Sequence, residues 1–358
     1  MHSFAIGKNR LKRTEPKLME NRGVFILPRL HGLGGPASFR GRLVRGLEKM
    51  GVHEIGSIDD PLCKVVLVIG GTRDITTLVK ARRKGLRIVQ RLNGMNWIHK
   101  KQRVDPAYFM RCEINNLLLR FIRRYFAGKI VYQSQFADKW WQTVCGVTQA
   151  PSSVIFNGVD LEEFTPLGPQ TPPIDLYRIL MVEAHIRGGY ERGLDSAVRL
   201  TQLLNQQMDK PVRLTVAGSL QEHLKTYYSR QFGGFVDWAG VVPGEEIPAL
   251  DRCAHLLFSA DLNAACPNAV IEALASGLPV LSYSTGSLPE IITGESGRVV
   301  PYGSNYWNLE QPDIPGLAKG AIEILTNQKR YRLSARQRAL EAFSLVKMVD
   351  QYISVLFD

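Results

Sequence analysis

A loop ending in Pro267-Asn268 opens an apolar helix, with Glu272 about one turn inside it, and the helix closes at Gly277 before a strand begins beside Pro279. Amides at such a helix start have no partner within the helix and sit at the positive end of its dipole, which suits a diphosphate. The amides of Pro267, Asn268 and Ala269 mark that position, less the N–H that proline lacks. A carboxylate one turn further in can accept both ribose hydroxyls of a nucleotide held there. An isolated helical glutamate is usually only solvated, but Glu272 is not isolated. A strand at 24–27 runs into Gly32-Leu33-Gly34-Gly35-Pro36, and Phe39, Leu43 and Leu47 then recur at helical spacing until Gly51. Glycines let backbone amides approach a ligand, and Pro36 suits a first helical turn. Such loops also occur for purely steric reasons, so this one gains weight only beside the Glu272 helix.

The elements that must position these residues form a regular alternation. Short β-branched runs at 24–27, 65–69, 87–90, 129–133 and 153–156 are separated by helix-length segments. The second half repeats the scheme at 178–182, 213–217, 235–238, 255–259, 279–283 and 297–300. This predicts an α/β protein with two Rossmann-like doubly wound domains facing across a cleft, with ligands at the carboxyl ends of the strands. The expected layout is a basic tail over 1–22, an N-terminal domain over 23–158, a C-terminal domain over 159–344 and a final helix over 345–358. The joint falls near 157–160, ahead of a proline-rich stretch. In the final helix Val346, Val349, Ile353 and Leu356 are spaced for one face that packs back on the first domain.

With these motifs in order, the chain resembles family 4 of the retaining GT-B glycosyltransferases over most of residues 23–355. The resemblance rests on the Gly34-Gly35 loop, Asn157-Gly158-Val159-Asp160 with Phe164, and Arg187 followed by Arg192-Gly193. It rests further on Val216-Ala217-Gly218, Gly240-Val241-Val242, the 267–280 segment and Gly286-Ser287-Leu288-Pro289-Glu290. It implies that the C-terminal domain binds a UDP- or GDP-type sugar donor, with Gly34, Gly35, Gly218, Val241, Pro267, Asn268, Ala269 and Glu272 on the donor side. The acceptor is implied to bind the N-terminal domain, with retention at the transferred carbon. Arg187 and Arg192 are then the candidate cations for a diphosphate whose charge grows as the glycosidic bond breaks.

The chain departs from the family pattern twice. The first of two glutamates usually separated by seven intervening residues, the second matching Glu272, is Ala264 here, leaving Asp261 or Asn263 as substitutes if the loop is shifted. Arg192 stands where lysine is usual, keeping the charge and adding a planar fork. On the acceptor or sugar side, Arg91-Leu92-Asn93-Gly94 matches an Arg-x-Asp-Gly stretch of some members with Asn93 for Asp, and Trp97 follows. Asn93-Gly94 as a plain turn and Trp97 as a core residue weigh equally with Trp97 stacking on a sugar.

Of the net charge of +12, residues 1–158 carry 28 basic against 10 acidic side chains, and residues 159–358 carry 17 against 23. An excess of 18 positive charges in one half points to an anionic partner. Between Phe109 and Phe126, Ile114, Leu117, Leu118, Phe121, Ile122 and Tyr125 mingle with Arg111, Arg120, Arg123 and Arg124. This pattern either packs in the core with its arginines solvated or lies on an anionic membrane. Five scattered cysteines without a Cys-x-x-Cys pair, a polar N-terminus and no long apolar run lead us to expect a cytoplasmic protein, either free or peripheral at the inner face of a membrane. Without an Asp-x-Asp triplet or metal-spaced ligands we expect no metal and no cofactor beyond the donor. Two alternatives stand beside transfer: a degenerate sugar-nucleotide-binding protein, suggested by Ala264, and a nucleic-acid-binding protein using the basic half, which lacks any recognised motif.

Overall fold

The computed structural model describes residues 22–29, 32, 34–187, 189, 191–232 and 234–358. The basic tail therefore lies outside the described residues, apart from Arg22, which begins the first strand. The N-terminal unit runs β1 (Arg22–Leu27), α1 (Gly35–Lys49), β2 (Val52–Glu54), β3 (Cys63–Ile69), α2 (Ile75–Arg83), β4 (Arg87–Leu92), α3 (Pro106–Tyr125), β5 (Lys129–Tyr132), α4 (Gln135–Cys145) and β6 (Ser152–Val154). The C-terminal unit runs β7 (Tyr177–Ile186), α5 (Glu191–Gln207), β8 (Val212–Leu220), α6 (Glu222–Phe232), β9 (Val236–Gly240), α7 (Ile247–Cys253), β10 (Leu256–Ser259), α8 (Asn268–Ala275), β11 (Val280–Tyr283), α9 (Leu288–Ile291), β12 (Gly297–Val300), α10 (Ile314–Thr326) and α11 (Gln328–Ala342). The last element is α12 (Leu345–Phe357).

Each unit is built on a six-stranded sheet, in the orders β2-β1-β3-β4-β5-β6 and β12-β11-β10-β7-β8-β9, and every strand pair is parallel. The central strands are near-continuous apolar runs because helices cover both faces; Val65, Val66, Leu67 and Val68 of β3 are all fully buried. Strand β2 has only three residues and carries no apolar run that would announce it. The first sheet reverses its strand order between β1 and β3, the second between β7 and β10. At such reversals adjacent crossover helices diverge to opposite faces and leave a crevice at the carboxyl ends of the strands.

The chain crosses between the units at 157–160 and again at 343–345, and the crossings are tied together. Val159 donates to the Phe343 carbonyl (2.8 Å) and Leu345 donates to the Val159 carbonyl (3.0 Å). Helix α12 lays Met348, Val349, Tyr352, Ile353 and Leu356 against Phe39, Leu43 and the first sheet. Val346, placed on the same face by spacing, is 65% exposed; the buried stripe is instead rotated toward Leu345, Met348 and Tyr352.

Helix α3 leaves most of its apolar stripe outside the core. Met110, Ile114, Leu117, Phe121 and Tyr125 are all exposed, Leu117 by 65%, while Cys112, Asn116 and Ile122 turn inward. Arg123 is the exception among its arginines: it is buried and donates to the Tyr132 hydroxyl (3.0 Å) and the Gly146 carbonyl (2.8 Å).

Candidate active site

Both reversals open into one cavity of about 700 Å³ between the two units. From the N-terminal side come the glycine loop after β1, the start of α1, and the segment after β4. The C-terminal side supplies the ends of β7, β8 and β10 and the start of α8. Of the residues singled out from the sequence, Gly35, Asn93, Trp97, Gly218, Val241, Pro267, Asn268, Ala269 and Glu272 line this cavity. Gly34 caps α1 beside it.

Helix α8 begins at Asn268 with Pro267 as its cap residue and no side chain capping its amides. Its start therefore presents unpaired donors to the cavity. Asn268 ties this helix to the opposite wall, since its side chain accepts from Asn157 Nδ2 (2.9 Å) and donates to the Gly35 carbonyl (3.4 Å). Asn157 also donates to the Cys266 carbonyl (2.9 Å) and accepts from Arg91 Nη2 (2.7 Å). Arg91 is fully buried, lies 3.6 Å over the Phe39 ring and donates to Asn93 Oδ1 (3.1 Å). Burial pulls its guanidinium below the ordinary arginine range, an effect partly opposed by Tyr352 of α12. Asn93 is further held by Trp141 Nε1, which donates to its carbonyl (2.6 Å). The 91–97 segment is thus a rigid wall of the cavity and not a free turn.

Glu272 faces the cavity, but its carboxylate is ion-paired with Arg42 of α1, and both side chains are 10% exposed. Arg42 also packs over the Phe164 ring (5.4 Å). Sequence reasoning missed Arg42 because nothing in the helical pattern of α1 sets it apart from its exposed neighbours. A second contact across the units caps α4: Glu290 accepts from the amides of Gln135 (2.8 Å) and Phe136 (2.6 Å). Trp97 lies edge-on to Trp307 (centroids 5.1 Å apart), which also meets Trp140 (5.3 Å). Trp97 is therefore part of an aromatic contact between the units while still lining the cavity.

Arg187 and Arg192 do not line the cavity. Arg187 is exposed, with its charge acting on Tyr108 at the cavity edge. Arg192 donates to the Leu309 carbonyl (2.9 Å) beside a smaller space. In the region where β7 ends, the cavity instead shows Glu183, Ala184 and His185. Burial, reinforced by the neighbouring charge of Asp261, holds the Glu183 carboxyl well above the usual carboxylate range, and burial raises Asp261 to about 7. The sequence shows only an acidic residue following an apolar strand run at Glu183; that this strand borders a strand-order reversal is decided by the fold.

Residues 179–341 match the family described as glycosyl transferases group 1. Over this stretch the chain is similar to group 1 glycosyltransferases. The stretch contains β8 to β12 and nearly all of β7, hence the whole switch-point wall with Glu183, Asp261 and Glu272. A curated relative, N-acetyl-alpha-D-glucosaminyl L-malate synthase of Bacillus anthracis, is 30% identical over 93 residues, which cover 25% of this chain and only 22% of that protein. The two-unit fold is that of GT-B glycosyltransferases. Sucrose-phosphate synthase from Thermosynechococcus elongatus superposes with a TM-score of 0.71 at 14% identity, covering 93% of this chain and 98% of that one. HepE from Anabaena, solved with UDP and glucose, superposes with a TM-score of 0.66 at 15% identity, covering 94% and 99%. Around the matched stretch, the N-terminal unit completes the cleft with Gly35, Arg42 and Asn93.

Proposed function

We propose that the protein transfers a sugar from a nucleoside diphosphate sugar to an acceptor, the donor lying against the matched stretch. The observation that carries this reading is Glu272 one turn behind the uncapped start of α8, facing the glycine loop across a cavity bounded by both strand-order reversals. The ribose hydroxyls would replace Arg42 as partners of Glu272, with the diphosphate at the amides of 268–269 and the acceptor against the Asn93 and Trp97 wall. Arg187, on the segment leading into α5, and Arg192, in the first turn of α5, are the proposed cations for the departing diphosphate. The HepE complex with UDP and glucose supports a donor of the UDP type. We further propose retention at the transferred carbon and no requirement for a divalent cation. Product anomer analysis by NMR checks the first, and activity in excess chelator checks the second. Thermal-shift and calorimetric titration with UDP, GDP and their hexose esters tests the whole reading, because a ligand of the native state raises the melting temperature. The absence of any shift with all of them would overturn it.

One competing reading has a structural basis: a binding protein without turnover, favoured by Ala264 and by the position of Arg187 and Arg192 outside the cavity lining. Donor binding without product under single-turnover conditions would establish it.

For the acceptor, we propose a lipid-linked or otherwise anionic molecule met at a membrane surface. The exposed stripe of Met110, Ile114, Leu117, Phe121 and Tyr125 supports this, flanked by exposed Arg111, Arg120 and Arg124 on the strongly basic half of the chain. No helix among the described residues is long and apolar enough to cross a membrane. Co-sedimentation with vesicles containing phosphatidylglycerol should be strong at low salt and fall steeply as salt is added. Indifference to lipid charge would overturn the membrane reading and leave the transferase reading standing.

A further inference from the structure

At the reversal between β7 and β10, three polar side chains meet the cavity without protein partners. Glu183 and Asp261 line it and enter no ion pair or side-chain hydrogen bond among the described residues. Asn263 is 4% exposed, lines the same cavity, and has neither its Oδ1 nor its Nδ2 hydrogen-bonded. A buried amide with both ends unsatisfied is costly, as are two desolvated carboxyls side by side, so a ligand that fills all of these positions gains correspondingly.

The conformation around Asn263 is built for this display. Its backbone is left-handed, with φ of 62°. Gly286, also left-handed at φ of 60°, packs so closely behind it that a Cβ there would stand 2.6 Å from the Ala264 nitrogen. Ser287 donates its amide to the Ala264 carbonyl (2.9 Å), fixing the loop from the other side. Across the cavity floor, Gly218 lies against the Glu183 carbonyl where no side chain fits, which holds β8 against the irregular end of β7. The arginines lining the cavity supply no counter-charge, because Arg42 is committed to Glu272 and Arg91 to Asn93 and Asn157.

We propose that Glu183, Asp261 and Asn263 form the seat of the transferred sugar, binding neighbouring hydroxyls of a neutral hexose and excluding sugars that carry a carboxylate. Two carboxyl groups accept from hydroxyls, and the amide both donates and accepts, so together they fit a ring bearing several adjacent hydroxyls. Ala264 offers no polar group, and the trio lies among the polar side chains of that part of the cavity, with His185 at the end of β7 and Ser259 at the end of β10 beside it. The desolvation that opposes ionisation of Glu183 and Asp261 would equally oppose a uronic acid, which brings a further carboxylate into this space without a counter-charge.

The inference rests on the transferase reading, and the experiment separates their failures. Affinities of UDP, UDP-glucose and UDP-glucuronic acid, and of GDP, GDP-mannose and GDP-mannuronic acid, are measured calorimetrically, with and without chelator. The wild-type protein is compared with Glu183→Gln, Asp261→Asn and Asn263→Ala. The two near-isosteric variants guard against misfolding, which melting curves check independently. For the base that binds, each variant should lose about tenfold in affinity for the neutral sugar ester while its affinity for the free diphosphate stays within about twofold. Wild-type protein should disfavour the uronate by at least about tenfold, and Asp261→Asn should narrow that gap. Equal losses for diphosphate and sugar ester would overturn the proposal by moving the trio to the diphosphate. So would binding that requires magnesium and loses that requirement in Asp261→Asn, or unchanged affinities throughout. Wild-type binding of no nucleotide at all would sink the transferase reading, and this assignment with it.

Discussion

The guanidinium of Arg42, on the first helix of the N-terminal unit, is ion-paired with the carboxylate of Glu272, on the short helix α8 at the cleft. Each is the other's charged partner in a space where both are nearly excluded from water, so either one alone is left with an uncompensated charge. Arg42→Ala is therefore expected to destabilise the protein by about 3 kcal/mol, and Arg42→Ala with Glu272→Ala to recover part of that loss. Chemical denaturation of the single and double variants measures the coupling. Additive losses would mean that the pair contributes nothing across the boundary.

Glu272→Ala has a second consequence, read by ligand binding. Loss of charge-assisted hydrogen bonds to the ribose should weaken nucleoside diphosphate affinity by about 1.5–3 kcal/mol. Displacing Arg42 offsets part of what the carboxylate gains in the wild-type protein, so Arg42→Ala should bind the diphosphate at least as tightly as wild type. An affinity unchanged in folded Glu272→Ala would remove this residue from the nucleotide site.

Asp261 gives a stability signature that depends on pH. Its carboxyl is raised by burial to about 7 in the folded protein and returns to about 4 in the unfolded chain. Between those values the native state binds more protons than the unfolded state, so this group's contribution makes stability fall as pH rises from about 4 to 7. Glu183 shifts in the same direction. Asp261→Asn should accordingly melt a few degrees above wild type at pH 8, with the difference vanishing near pH 4. A melting difference that is constant over this range would contradict the desolvated carboxyl pair.

Arg187→Ala and Arg192→Ala should lower kcat more than they raise the donor KM, because the charge these cations meet is greatest in the transition state. The two differ in stability. Arg187 is exposed, so its variant should melt like wild type, whereas Arg192→Ala loses the bond to the Leu309 carbonyl and about 1 kcal/mol. Equal effects on kcat/KM and on donor binding would assign both residues to ground-state binding.

The sequence by itself determined the two doubly wound units and the uncapped helix start ahead of Glu272. These follow from short-range causes: alternating apolar strand and helix periods, glycine and proline at turns, and polar residues at caps. Strand β2 escaped because three residues at a sheet edge hold too few apolar positions to show a period. Tertiary structure alone decided which side chains face one another across distances in sequence that no period records. Arg42 meets Glu272 over 230 residues, Glu290 caps a helix 154 residues away, and the stripe on α3 faces outward because packing against the sheet is taken by Ile122 and its neighbours. The seat of Glu183, Asp261 and Asn263 belongs to this second kind. Each residue taken singly reads as an ordinary polar position in a loop or strand end. Only the reversal of strand order between β7 and β10 brings their unpartnered groups to one cavity floor, where desolvation and mutual repulsion give them their chemistry.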